Sequence, residues 1–376
     1  LLEKYMSAPV WLMRDVGWEP DFPSTGAMAK ELYRLGQSRI VDGVFAITPL
    51  AFVEIAGAIG SIPTAQGSVE SSAIMQALEE GTDRLGREYM DTLFQDLLEA
   101  LDSGYATARL FDLASALNES LISKQVLIYL SDAKSQELIT NFGWAGELVL
   151  PMYDRVTVID SNVGWSKVDR NIERSISYRI LLNPDSEARA YLDLNYKNLS
   201  PQGSTGCESQ KMDRGLGYSS LKNTCYWNLF RVFISDEADL VSADQLPLPA
   251  NSILEQTGIG IRGQDTMELL YGTGGAALTG FVTVEPGQTR SIGFVYDLPS
   301  SVVDWHGKIS TYSLTLQHQP GTLGRNVRIE VVIPEGYEFV NSSIIPTDVI
   351  AQNIMFEFFL SRDTVITVDM RPAGSA

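Results

Sequence analysis

Two aspartates, Asp15 and Asp21, stand in the stretch "MRDVGWEPDFPSTG" (residues 13–26), with Arg14 beside the first of them. Carboxylates placed next to a helix start can hold a metal ion or serve as acid and base. Ser24 and Thr25 follow at once, and a helix beginning there would aim its free N–H groups at a phosphate. Arg14, Asp15 and Asp21 are therefore the candidate catalytic residues, and Ser24 and Thr25 the candidate ligand-binding residues. A plainer reading is open and is preferred on the residues alone. In it Trp18 and Phe22 plug the edge of a core while Pro20 and Pro23 stiffen the turn.

Other chemistry is excluded or weak. Residues 1–165 contain no His and no Cys, so no Ser–His or Cys–His nucleophile system can be built there. The two histidines are His306 and His318. His306 follows Asp304 and Trp305, a spacing that does not form an orienting pair, and is expected to be a packing or surface residue. Phosphate-binding loops of the G-x-x-x-x-G-K-S/T and strand–G-x-G-x-x-G–helix kinds are absent. Asp236, Asp239 and Asp244 could face a calcium ion, but their spacing suits a solvated acidic turn better. No metal and no cofactor are expected.

Cys207 and Cys225 bracket the polar loop "GCESQKMDRGLGYSSLKNTC". A buried structural thiol would sit in apolar surroundings. Two cysteines flanking a polar loop point to a disulfide and an oxidising compartment, with a zinc site as the weaker reading because further ligands are scarce.

The net charge of −19 is spread over the chain. Residues 1–165 carry 11 Lys+Arg against 23 Asp+Glu, and residues 166–376 carry 17 against 24. Both parts repel polyanions, which excludes nucleic acid and disfavours anionic lipid surfaces. The most apolar stretch, residues 41–60, contains Asp42, Glu54 and Pro49, which a lipid-facing helix tolerates badly.

The elements that must position these residues change character along the chain. The first ~160 residues alternate helix and strand patterns: a helix over 27–35 capped by Ser24 or Thr25, a strand at 41–47, helices over 49–60, 86–103 and 105–122, a strand at 125–131 and a helix over 132–143. Apolar strands between helices predict a layered α/β domain with a mainly parallel sheet. Beyond residue 155 the period falls to two, in segments such as "ARAYLDLNY", "TRSIGFVYDL" and "VRIEVVI", separated by turns such as "EPGQ" and "PEGYE". That pattern predicts β-sandwich modules. The expected division is a layered domain at 1–160, a β-sandwich module with the disulfide loop at 161–300, and a second small β module at 301–376.

Several segments occur in a telling order: "RDVGWEPDFPSTG", "VDGVFAITPLAFVEIAGAIGSI", "FGWAGEL", "DSNVGWSKVDRNIERSISY", "NTCYWNLFRVFI" and "YSLTLQHQPGT". Together they resemble the bacterial domain-of-unknown-function family 4012, whose members are envelope-anchored. That family is distantly similar to the LytR–CpsA–Psr phosphotransferases, which attach anionic glycopolymers to peptidoglycan outside the membrane. The resemblance implies a layered, LytR–CpsA–Psr-like α/β domain and an extracytoplasmic place, at the cell surface or secreted. It also implies a membrane anchor in the full-length precursor, and Leu1 in place of Met suggests a processed or partial chain. The phosphotransferases use several arginines, and Arg14, Arg84 and Arg87 are the candidates here.

The expected function is that of a bacterial cell-envelope protein with a structural or protein-interaction role. Its partners would be other protein chains or its own missing N-terminal segment, and a cell-wall glycopolymer is a further candidate. One alternative is an extracytoplasmic glycopolymer phosphotransferase. Another is a carbohydrate-binding surface protein with Trp227, Trp305 and Tyr226 as sugar platforms.

Overall fold

The computed structural model describes all residues except 1, 65–66, 86–87, 103–108, 151–152, 209, 211–217, 245, 247–251, 254–267, 273–274, 306 and 375–376. The expected pattern of a helix-rich part followed by a strand-rich part is present, and three features differ from expectation.

The helix-rich part contains α1 (Leu2–Met6), a 3-10 turn (Met13–Trp18), α2 (Phe22–Gln37), β1 (Gly43–Ile47), α3 (Pro49–Ile59), β2 (Ser61–Thr64), β3 (Gly67–Glu70), α4 (Ile74–Leu85), α5 (Glu88–Asp102), α6 (Leu110–Ile122), β4 (Val126–Leu130) and α7 (Ala133–Asn141). The first difference lies here. The two apolar strands do not form a mainly parallel sheet. Among the described residues β1 and β4 pair only with each other, antiparallel with Phe45 opposite Ile128, and β2 and β3 form a separate hairpin. Apolar strand composition reports burial, not direction, so an antiparallel pair covered by helices produces the same pattern.

The second difference is the start of α2. Its cap is Asp21, not Ser24 or Thr25, because Pro23 is compatible with the first turn and the helix begins at Phe22. Gly26 then lets α2 lie on the sheet pair. A Cβ at that position would come within 2.5 Å of the Tyr129 ring.

The strand-rich part holds β5 (Asp154–Asn162), β6 (Ile172–Leu181), β7 (Ala188–Asn198), α8 (Tyr218–Lys222), β8 (Tyr226–Phe233), β9 (Asp239–Ala243), β10 (Glu268–Gly272), β11 (Gly275–Val284), β12 (Thr289–Leu298), β13 (Val303–Asp304), β14 (Ser310–Gln317), β15 (Arg325–Val332), β16 (Tyr337–Ser342), β17 (Asp348–Ile350), β18 (Asn353–Leu360) and β19 (Thr364–Pro372). One sheet runs β10-β11-β8-β5-β14-β19-β16, with β13 added on β14. The other runs β17-β18-β15-β6-β7-β12-β9.

The third difference follows from this order. Strands before and after residue 300 share both sheets, and one apolar cluster from Val156 to Met370 fills the space between them. The sheets do not divide into modules at 161–300 and 301–376. β5, whose first residues fall before the expected boundary at 160, is an inner strand of the first sheet. Most neighbours pair antiparallel, but β5 runs parallel to β14 and β6 parallel to β15. These two parallel pairings join segments about 150 residues apart, and no local pattern announces them.

Cys207 and Cys225 are bonded, with Cα atoms 5.2 Å apart, as expected. Cys225 is buried with Trp227 and Phe281, and Tyr5 of α1 packs into the same cluster. Cross-linking residues 18 apart restricts the unfolded chain by about 3 kcal/mol. Replacing both cysteines by serine should lower unfolding stability by about that amount, read from chemical denaturation curves with midpoint and slope both fitted, because the unfolded chain without the cross-link is less compact.

Candidate functional site

Each of the five candidate residues has a defined place. Asp15 accepts the Leu12 N–H at 3.1 Å and lies 3.6 Å from the exposed guanidinium of Arg14. Asp21 is buried and uses both carboxylate oxygens. Oδ2 accepts the Ser24 N–H (3.0 Å) and the Ser24 hydroxyl (2.6 Å), and Oδ1 accepts the Leu148 N–H at 3.1 Å. The Thr25 hydroxyl donates to the Glu19 carbonyl. Ser24 and Thr25 thus complete the cap of α2, and Asp21 ties that cap to the segment "FGWAGEL" (142–148). A second tie runs from the Phe22 N–H to the Gly146 carbonyl, at a glycine in the left-handed region where a Cβ would meet the Leu127 side chain. Asp15 and Asp21 are engaged in turn and cap bonds, and the Arg14 side chain is exposed beside Asp15. Arg87 and the side chain of Arg84 lie outside the described residues, as does His306.

The motif also grips the sandwich. Arg231 of β8 donates to the Trp18 carbonyl at 2.9 Å and to the Ser161 hydroxyl at 3.2 Å, with its guanidinium 5.6 Å from the centre of the Trp18 ring. Burial pulls this arginine down to about 10, against the opposing charge of Glu19, so it stays cationic at neutral pH. Phe22 is buried and Trp18 is half-buried.

The chemistry missed in the sequence lies on β5. Strand alternation sends Asp154, Val156, Val158 and Asp160 into the space between the sheets. Asp160 is a hub. Its carboxylate lies 3.1 Å from Arg325 of β15 and 3.3 Å from Arg174 of β6, and it accepts from Tyr196 of β7 (2.7 Å) and Asn228 of β8 (2.8 Å). Its backbone exchanges two hydrogen bonds with the Gln319 side chain. Burial alone would raise this carboxyl, but Arg325, Arg174 and the two donors outweigh burial and hold it below the usual range. Arg174 also reaches Asp169 at 2.9 Å.

Asp154, at the other end of the same face, forms no ion pair among the described residues. Its Oδ2 accepts the hydroxyls of Tyr178 (2.5 Å) and Tyr312 (2.6 Å), and Oδ1 has no hydrogen-bond partner. Burial pushes it up to about 6 against those hydroxyls.

The two parts of the chain meet along the loop "HQPGT" (318–322). Thr48 caps α3 and donates to Gln125 at 2.7 Å, while the Gln125 amide donates to the Thr322 carbonyl at 2.6 Å. Gly321 N–H donates to the Lys124 carbonyl, and the Lys124 ammonium lies 2.7 Å from Asp363. His318 is buried beside that pair, and neither ring nitrogen finds a partner. Burial, then the charges of Lys124 and Arg325, lower it to about 4 despite Asp363.

Beside this loop opens a cleft of about 1050 Å³. Thr48, Pro49 and Leu50 at the start of α3 and Met75 of α4 line one part. Residues of β6 and β7, the 319–324 loop, Asn326 of β15 and Phe359 of β18 line most of the rest. Asp160 and Arg174 reach its base. None of the five candidate residues lines it. The expected sugar platforms do not line it either: Trp227 and Tyr226 are buried, and Trp305 packs against Tyr337 at the core edge. Asp236 pairs with Arg155 at 3.2 Å, and among the described residues no group of three acidic, His or Cys side chains could hold a metal ion. No helix among them is long and apolar enough to cross a membrane.

Residues 1–82 match the family model described as "Protein of unknown function (DUF4012)". No curated protein matches. Among solved structures, a putative nutrient binding protein from Legionella pneumophila is 9% identical, covering 58% of this chain and 71% of its own, with a TM-score of 0.28. An M1 zinc metallopeptidase from Deinococcus radiodurans is 8% identical with a TM-score of 0.23, covering 54% of this chain. The chain spans 43% of that peptidase. Likenesses at these scores carry no argument about fold or function.

Two outcomes follow from the buried charges. Asp160→Ala leaves Arg325 and Arg174 without their shared anion, and should cost about 3–5 kcal/mol in denaturant unfolding. The pH dependence divides into opposing parts. Asp154 has its folded value at about 6, above 3.8 for a free carboxyl, so its contribution is present below ~3.8 and is lost as pH rises to about 6. His318 has its folded value at about 4, below 6.5, so its contribution is present above ~6.5 and is lost as pH falls to about 4. Each spans about 3 kcal/mol and the two oppose one another between pH 4 and 6. Asp154→Asn should therefore steepen the loss of stability on acidification, and His318→Gln should reverse its sign. Unfolding curves at half-unit pH steps would show both.

Proposed function

We propose that this chain is an extracytoplasmic bacterial cell-envelope protein, secreted or surface-displayed, with a structural or protein-binding role rather than a catalytic one. The observation that carries the binding role is the open edge of β1. Among the described residues β1 pairs on one side only, with β4, and Phe45 and Ile47 on it are 62% and 45% exposed. An unpaired apolar strand is a template for a strand of another polypeptide, which would gain main-chain hydrogen bonds and cover both side chains. The disulfide, the acidic balance and the family match over residues 1–82 support an envelope setting. A phosphotransferase reading is less well supported, because Asp21 spends both oxygens on backbone and hydroxyl donors and Asp15 is tied to its own turn.

The test uses the protein in bacterial cells. A photo-crosslinking residue at Phe45 should give a discrete protein adduct, while the same residue at Val349, on the far edge of the sandwich, should not. Cys207 and Cys225 should resist alkylation in intact cells until a reductant is added. Free thiols in cells would reject the envelope setting, and an adduct pattern no different between Phe45 and Val349 would reject the contact role.

A further inference from the structure

The cleft beside the 319–324 loop has a floor that strand register builds with regularity. On the outward face of the second sheet, Asn326 of β15 stands opposite Ser175 of β6, Ser175 opposite Asn195 of β7, and Asn195 opposite Ser291 of β12. Two residues along the strands, Glu173 stands opposite Lys197, and Lys197 opposite Thr289. Side chains two apart share a face, so both rungs point away from the core. The result is a sheet surface of short amide and hydroxyl side chains crossed by one ion pair, Lys197–Glu173 at 3.2 Å.

Charge selects among ligands. The cleft is lined by Arg170, Arg174 and Lys197 and by Asp160, Asp169 and Glu173, a neutral set. Arg174 is already matched by Asp160 and Asp169. A phosphate or polyanion would find no uncommitted field there from these pairs, and it would also meet a chain of net charge −19. A wholly apolar ligand would desolvate the floor's amides and hydroxyls, a cost that the hydrogen bond from the Ser291 hydroxyl to Asn195 offsets only in part.

The walls add the complementary feature. Leu50, Met75, Leu199, Leu323 and Phe359 also line the cleft, and Phe359 is 54% exposed. A ligand matching both surfaces has hydroxyls that donate and accept along its edges and apolar C–H faces. Its edges would meet amides and paired charges, and its faces an aromatic ring and aliphatic walls. The volume, about 1050 Å³, is at the upper end for a small-molecule site and admits more than one ring.

We propose that this cleft binds a neutral oligosaccharide, held by Asn195, Asn326 and the Lys197–Glu173 pair and stacked on Phe359. The inference is separate from the protein contact at β1, which lies on another element, and the two can fail independently.

The experiment is calorimetric titration of the full chain with cellotetraose, maltotetraose and chitotetraose, and with a phosphorylated maltooligosaccharide as the anionic comparison. At least one neutral probe should bind with submillimolar affinity. Asn195→Ala and Phe359→Ala should each weaken that binding at least tenfold while leaving the melting temperature within the spread of wild type. Because Asn195 and Phe359 lie on an outward face, a folding failure is not expected. If one variant nonetheless melts early, Asn326→Ala gives the same readout. Phosphorylated probe binding more tightly than its neutral parent would overturn the neutral-ligand assignment. Absence of binding for all three neutral probes at millimolar concentration would overturn the proposal, as would binding that none of the variants weakens.

Discussion

One buried carboxylate sets the arrangement of the sandwich. Asp160 lies between two sheets with almost no access to water. An ionised group there costs several kcal/mol in lost hydration unless it is matched closely. Its partners come from β6, β7, β8 and β15 and from the 319 loop, so a shift of any one of these would strand a charge or a donor. Networks of this kind add little net energy over an apolar core, and their stronger effect is to penalise alternative packings. Register between two large sheets is the feature most in need of such a penalty, because valines and isoleucines on alternating strands pack acceptably in several alignments. Asp154 makes the contrast. On the same face of β5, three two-residue repeats away, the carboxyl accepts the hydroxyls of Tyr178 and Tyr312, while the guanidinium of neighbouring Arg155 is turned to Ile234, Val149 and Asp236, and the carboxyl moves toward the neutral form.

The sequence was informative where physics is local. Strand limits at 289–298 match β12, because a period of two was bounded by "EPGQ" and a proline. The proline start of the helix at 49–60, the strands expected at 41–47 and 125–131, which form at Gly43–Ile47 and Val126–Leu130, and the cysteine pair were legible for the same reason: each is decided by neighbours in the chain. Direction of β1 against β4 was not legible, and neither was the sharing of both sheets by segments on either side of residue 300. Those features depend on pairings across long stretches of chain, and an apolar strand looks alike in either orientation. The carboxylates show the same limit. Asp15 and Asp21 drew attention by standing among Trp, Pro and Gly, a composition that capping a helix also produces. Asp160 stands in "VTVIDSN", where a strand acid reads as solvent-facing. Its inward direction follows only once the alternation from Val156 and Val158 is laid on a two-sheet core.

Segments scattered in sequence, two of them inside the region that matches the family model (residues 1–82), converge in space. Trp18 meets Arg231, Asp21 meets Leu148, and Thr48 meets the "HQPGT" loop through Gln125. Each is a contact between the helix-rich and strand-rich parts or within the seam that joins them. These motifs can therefore encode a junction and not a reaction centre. Trp, Pro, Gly and capping Asp are well suited to that role: they fix chain direction and fill volume at modest conformational entropy cost.

The junction also explains why the cleft has the shape it does. Gln319 is held from one side by the Asp160 backbone, while Gly321 and Thr322 are held from the other by Lys124 and Gln125. The loop between them is thus fixed by both parts at once. Lys124 adopts a left-handed backbone, φ 56°, which is uncommon for a residue bearing a side chain, and it does so at the point where its carbonyl meets Gly321 and its ammonium meets Asp363. A wall fixed in this way loses little freedom when a ligand lies against it. The polar rungs of the floor are equally constrained, since Ser175 and Asn195 sit on inner strands paired on both sides. Rigid walls and a rigid floor lower the ordering cost of binding, and that preorganisation is what weak, hydroxyl-rich ligands most require.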